Sequence, residues 1–452
     1  MNTMELLPTE ENLIDCLCDN IINRNNAIRY FYRLLQSENG FRSIAIDGKW
    51  GSGKTFFVRQ TQIVINVLNE SSDMDEEKRT KVISSIPFSE EEKAPNHSVA
   101  IYFDAWKYDN DAEPILSLIY EITKQFSIEF SLTDKSVAEK AGSIAEAITG
   151  RNISGIIKAF KSEDIFTKFK EEKSIEEEIE NFITGLLCER GNRLIIFIDE
   201  LDRCKPSYTV QLLEQIKHYI NDERITFVFS VNLEQLQHTI RHYYGNEFDA
   251  NRYLDRFFEL RIDLPEADTS RFCLNLGIES HSFDIVIKQV IKMYDLKLRE
   301  ITRLSTQAKK AAYEILRADT RNRLPFPKGK GETFIMVFIV PLLLGLKMTN
   351  VTKYNAFING QDSGPLEELL MADKVNVILP YLINPSESFQ KEDGKTVISK
   401  KECCKRLYEA IFGDVYSNTT YTVMLGEYSF SKESKSFALS AASMMTQFAE
   451  LS

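Results

Sequence analysis

The chain has 452 residues, enough for two or three packed domains with a large core. Its 43% hydrophobic and 27% charged residues exclude a disordered polymer. With 67 Asp+Glu against 55 Lys+Arg the net charge is -12, so the chain as a whole is a poor sequence-independent binder of a nucleic-acid backbone, and a local basic groove is left open.

Residues 1–26 lack a basic start followed by an apolar run, so no signal peptide is expected and the chain reads as cytoplasmic. The 7 Cys form no C-x-x-C pair, which suits neither a zinc site nor a disulfide framework. Residues 1–42 read as a helical lead-in. Five short apolar runs then follow, at 43–47 (SIAID), 98–103 (SVAIYF), 194–198 (LIIFI), 225–231 (ITFVFSV) and 260–264 (LRIDL). Continuous β-branched and aromatic runs are what strands buried on both faces look like. Helical periodicity fills most intervals, so residues 43–265 are predicted to form a three-layer α/β core on a parallel sheet.

Two intervals exceed a simple crossover. Residues 70–97 are rich in Glu, Ser and Lys and read as an exposed insertion. Residues 109–193 read as a mostly helical insertion, in which 136–161 packs against protein and the charge run at 170–187 carries Ile175, Ile179, Phe182, Ile183 and Leu186 on one helical face. After Pro265, helical spacing at 283–296 and 298–317 predicts a helical lid over 266–330, with a flexible loop at 321–332. Residues 331–452 read as a mostly helical domain with a hairpin near 420–437. The most apolar stretch, 334–346, is interrupted by Pro341 and Gly345. Its about 13 residues make about 20 Å of helix against about 30 Å of hydrocarbon, so a buried core helix is expected and membrane insertion is not.

The sharpest motif is Gly48-Lys49-Trp50-Gly51-Ser52-Gly53-Lys54-Thr55, which fits G-x-x-x-x-G-K-[ST] between an apolar strand and the helix that Phe56 opens. Glycines turn consecutive N–H groups inward to cradle an anion, and the helix adds the positive end of its dipole. Residues Gly48 to Phe56 are therefore the candidate nucleotide contacts. Lys54 is placed on the β- and γ-phosphates, and the Thr55 hydroxyl on Mg2+.

The run "LIIFIDELD" at 194–202 delivers Asp199 and Glu200 to the end of a buried strand. Successive side chains of a strand point to opposite faces, so the two are expected in different roles: Asp199 on Mg2+, Glu200 orienting the attacking water. Asn232, at the tip of the run 225–231, is either a contact to that water or γ-phosphate or simply the start of the next helix. His238 and His242 lie one helical turn apart without a third ligand, and are expected on an exposed face. Trp106 in "DAWKYD" is expected to bury its indole against the sheet, the alternative being that Asp104 and Lys107 order the γ-phosphate region.

Together "GKWGSGKT", "IYFDAWKYDND", "IDELDRCKP", "FVFSVNLEQL", "YLDRFFELRIDLP" and "LKLREITRL" resemble the KAP family of P-loop NTPases, across roughly residues 19–306 and more loosely at 334–360. The resemblance implies an additional-strand, catalytic-glutamate (ASCE type) P-loop fold, with the strand that ends at Asn232 lying between the phosphate-loop strand and the Asp199-Glu200 strand. It implies ATP with Mg2+; no guanine-reading N-K-x-D motif follows the strand ending at Asn232. Many members carry transmembrane helices within the nucleotide domain, but residues 109–193 hold no span long enough. Bacterial members are linked to phage exclusion or antiviral defence, an association of family rather than of chemistry.

Three arginines are candidate γ-phosphate sensors: Arg203 after the acidic strand, Arg256 before the last strand, where ring-forming NTPases present a finger to a neighbouring subunit, and Arg299 on a lid helix. The expected function is an ATPase that controls assembly, as a homo-oligomer, or a separate partner effector, since no nuclease, protease or deaminase constellation is evident. The alternatives are a nucleotide-locked scaffold with negligible hydrolysis and a membrane-associated signalling platform.

Overall fold

The structure is a computed structural model that describes residues 7–37, 41–72, 74–94, 96–129, 179–187, 191–220, 222–279, 281–318, 330–382, 399–416, 422–425 and 428–443. The stretch 136–161, Ile175 and most of the loop at 321–332 lie outside the described residues. The chain divides into two compact units, Leu6–Asp268 and Thr269–Ser452.

In the first unit all five apolar runs are strands: β1 (Ser43–Asp47), β2 (Ser98–Asp104), β3 (Arg193–Asp199), β4 (Ile225–Val231) and β5 (Leu260–Asp263). They pair in parallel in the order β2-β3-β4-β1-β5, so β4 lies between β1 and β3 as expected. Alternation along each strand feeds two cores. Leu194, Ile196 and Ile198 join one core with α5 (Pro114–Glu129) and the helix described over 179–187, whereas Ile195 and Phe197 join the other. The second core holds α1 (Glu10–Cys18), α2 (Asn25–Gln36), α3 (Lys54–Leu68) and α4 (Glu76–Ser85). Each such large apolar side chain contributes roughly 1.5–3 kcal/mol on burial.

One sequence expectation changes here and another holds over its described part. The insertion 70–97 is not simply exposed: α4 buries Val82, and Ile86 and Phe88 follow it into the second core. Of the amphipathic run at 170–187, the described part buries Ile179, Phe182, Ile183 and Leu186 as the spacing predicts.

The second unit is helical apart from the antiparallel hairpin Thr422–Leu425 with Tyr428–Ser431. Its apolar helix is longer than expected, running Lys330–Thr349 straight through Pro341. A π-helical turn at Ile335–Ile339 precedes the proline, a geometry that accommodates the missing N–H donor. By length and composition these 20 residues could cross a membrane, at mean hydropathy 1.8, but 78% of the apolar window is buried. Gly345 permits that packing, because a Cβ there would meet Val290 Cγ1 at 2.5 Å.

Candidate functional site

The carboxyl ends of β1, β2, β3 and β4 converge on the phosphate loop, the usual ligand position in an open α/β sheet. The loop is anchored on both sides. Gly48 N–H donates to Val231 O at 3.1 Å, and Leu264 N–H donates to Asp47 O at 2.7 Å. Gly51 and Gly53 sit at φ 79° and 91°, where a side chain would be strained. A Cβ on Gly48 would lie 3.0 Å from Ser52 Oγ and 3.2 Å from Leu264 Cβ. The glycines thus keep a cradle open at the start of α3.

Lys54 is buried beneath it, its Nζ donating to Gly48 O at 2.5 Å and Lys49 O at 3.4 Å. Burial lowers its pKa, while Asp202, Asp199 and Glu200 favour the charged form. Lys49 and Trp50 are exposed, and Phe56 is half-buried on the first turn of α3.

Asp199 is wholly buried and is met from three directions. Thr55 Oγ1 donates to its Oδ2 at 2.6 Å, Tyr102 OH to the same oxygen at 3.1 Å, and the Glu200 N–H to Oδ1 at 3.0 Å. Thr55 and Asp199 therefore converge, as required of a pair sharing one cation. Glu200 departs from strand logic. β3 ends at Asp199, and Glu200 takes the left-handed conformation at φ 61° before a short helical turn, Leu201–Arg203. That turn, rather than strand alternation, directs its carboxylate, which pairs with Arg203. Burial, reinforced by Asp199, pushes the Glu200 carboxyl up to about 7.

Arg203 lies between two indoles, 5.6 Å from the Trp50 ring and 5.7 Å from the Trp106 ring. The expectation that Trp106 is buried against the sheet is corrected: it is 53% exposed. β2 stops at Asp104 and Trp106 begins a 3-10 turn beyond the sheet, so the ring stands at the sheet's end instead of on its face. Lys107 is turned away, its Nζ donating to Tyr108 OH at 2.9 Å, while Asp104 stays beside Asp199 in the strand register.

Asn232 acts as a helix cap, its Oδ1 accepting from Gln235 N–H at 3.3 Å at the start of the helix Leu233–Tyr244. Leu233 N–H donates to Asp47 Oδ1 at 2.8 Å, which ties β4 to the phosphate-loop strand. His238 and His242 are both exposed, and no cluster of three metal-ligating His, Cys, Asp or Glu side chains occurs among the described residues. Arg256 is exposed and stacks on Tyr253 at 4.8 Å. Arg299 belongs to the second unit, on the first turn of the helix Leu298–Ala318.

Three participants escape sequence reasoning. Tyr102 holds Asp199. Asp202 accepts the Trp50 indole N–H at 2.6 Å. Arg24, ahead of α2, reaches Gly53 O at 3.4 Å. Ser52 Oγ, Asp202 Oδ1, Ser230 Oγ and Arg24 Nε are buried without a partner around these elements. Buried polar groups are normally satisfied, so such orphans beside a glycine cradle fit a bound polyanion. The Thr55–Asp199 pair fits Mg2+.

A glycine cradle between β1 and α3, with a polar-tipped strand between it and an acidic strand, defines a P-loop NTPase domain. Comparison with known proteins agrees. The KAP family P-loop domain matches residues 24–309, well over half of the chain, and the chain belongs to that family. Over 116 residues, 26% of this chain, it is 25% identical to the phage T7 exclusion protein of Escherichia coli (strain K12). That similarity spans 15% of the relative's length.

Proposed function

We propose that the protein is a Mg2+-dependent ATPase whose nucleotide cycle controls its own assembly or a separate partner effector in defence against phage. The observation that carries this reading is Glu200, one residue past the buried Asp199 and paired with Arg203 beside the phosphate loop. As substrate, ATP places its phosphates over the loop's N–H groups and the start of α3, and Lys54 exchanges carbonyl partners for phosphate oxygens. Thr55 and Asp199 are the residues that would hold Mg2+, which when bound supplies positive charge to the phosphate oxygens. Released from Arg203, the Glu200 carboxylate accepts a hydrogen bond from a water and aims its oxygen at the γ-phosphorus. It takes the proton as the new P–O bond forms and the bond to ADP breaks.

ATP in preference to GTP rests on the family. Control in trans rests on the exposed Arg256, placed just before β5 for presentation to a neighbouring subunit of a homo-oligomer. The defence role draws support from the similarity to a phage exclusion protein. One observation favours a second reading, a nucleotide-locked scaffold: Arg203 engages the very carboxylate that hydrolysis needs.

Phage challenge of bacteria expressing the chain tests the proposal. Wild type is expected to protect, with protection lost in Lys54→Ala and Glu200→Gln. Protection retained by both variants would reject nucleotide-controlled defence, and protection lost only in Lys54→Ala would favour the scaffold.

A further inference from the structure

Arg24 belongs to none of the motifs that mark the site, yet it is 2% exposed. Its guanidinium has five N–H donors, and the side chain makes one hydrogen bond, from Nη1 to Gly53 O at 3.4 Å. Nε is buried with no partner, and no carboxylate lies within ion-pair distance among the described residues. A buried cation without a counter-charge is strongly unfavourable unless something else supplies the anion. Burial moves this arginine only to about 10, so it is still charged at neutral pH.

The surroundings hold it there. Asn25, the next residue, is pinned by Nδ2 bonds to Leu17 O and Ser85 O, both at 2.8 Å. α2 packs on α3, with Phe31 and Phe57 at 5.6 Å between ring centroids. The backbone that carries Arg24 is thus fixed against the helix that the phosphate loop opens. The residue it touches, Gly53, is the glycine that closes the loop in the left-handed conformation, with Lys54 following.

We propose that Arg24 is a nucleotide-binding residue: a second fixed cation beside Lys54, whose unpaired N–H groups take oxygens of the nucleotide's phosphate chain. The proposal rests on the nucleotide-binding reading of the phosphate loop and adds to it a residue far from any phosphate-binding motif. A guanidinium suits the task because its planar fork presents paired donors to phosphate.

The test uses the full chain with Arg24→Met, which keeps the apolar stem, and Arg24→Gln, which keeps an N–H for the Gly53 carbonyl but removes the charge. Affinities for Mg-ADP and Mg-GDP are measured by calorimetry, and melting temperature without nucleotide. Both variants are expected to bind both nucleotides about tenfold more weakly or worse, the usual effect of losing a charged hydrogen bond. Without nucleotide, Arg24→Met is expected to melt at or above the wild-type temperature, since an uncompensated charge has gone. Wild-type affinity in Arg24→Gln would overturn the proposal and leave the arginine as a brace for the loop. A loss for ADP that spares GDP would overturn the phosphate assignment in favour of a base contact. Should Arg24→Met not fold, Arg24→Gln still decides. Wild-type protein that binds neither nucleotide would instead sink the reading of the phosphate loop itself.

Discussion

At Asp199 one carboxylate accepts from Thr55, from Tyr102 and from a backbone N–H, so its direction is over-determined before any cation arrives. Groups that orient a metal ligand typically change metal affinity 10- to 100-fold when removed. Tyr102→Phe keeps the ring under Arg59 and deletes only the hydroxyl. It is expected to raise the Mg2+ concentration needed for tight nucleotide binding about tenfold, read by titrating Mg2+ at fixed ATP. An unchanged requirement would remove Tyr102 from the site. The phosphate loop and the meeting of Thr55 with Asp199 are legible because each motif is local and follows a strand, whereas the direction of Glu200 is not, since a left-handed turn rather than strand alternation sets it. Tyr102, Asp202 and Arg24 were not, since they meet partners 97, 152 and 29 residues away. No window of sequence holds both halves of those contacts. Asn232 was legible only as two possibilities, of which the structure displays the helix cap.

At the scale of elements, the strands were readable because a sheet covered on both faces demands continuous apolar runs, and all five runs are strands. The structure departs from the sequence expectation where polarity hides packing. α4 is charged over most of its first two turns and buries a single residue of its own, Val82, so its composition reads as solvated. Urea denaturation separates the two descriptions. Val82→Ala is expected to destabilise by roughly 1.5–3 kcal/mol, the value of a buried valine, whereas an exposed site would stay within about 0.5 kcal/mol. Trp106 departs from its sequence expectation for a related reason. An indole directly after a strand suggests burial, but a one-turn change of backbone direction carried it past the sheet and onto Arg203.

The whole molecule joins the nucleotide unit to a helical unit whose core helix, Lys330–Thr349, satisfies the length and apolarity of a membrane span while being mostly buried. A helix already packed gains little by entering lipid, so flotation with liposomes is expected to leave the protein in the soluble fraction. Protein rising with the vesicles would show that this helix leaves its unit. The proposed hydrolysis governed by Glu200 is tested most directly by steady-state Mg-ATP turnover of the purified protein, with Glu200→Gln as the paired variant and nucleotide binding measured on both. Measurable turnover is expected in wild type, with a fall of about 10²- to 10⁴-fold in the variant and unchanged ATP binding. Equal turnover in the two proteins would contradict it.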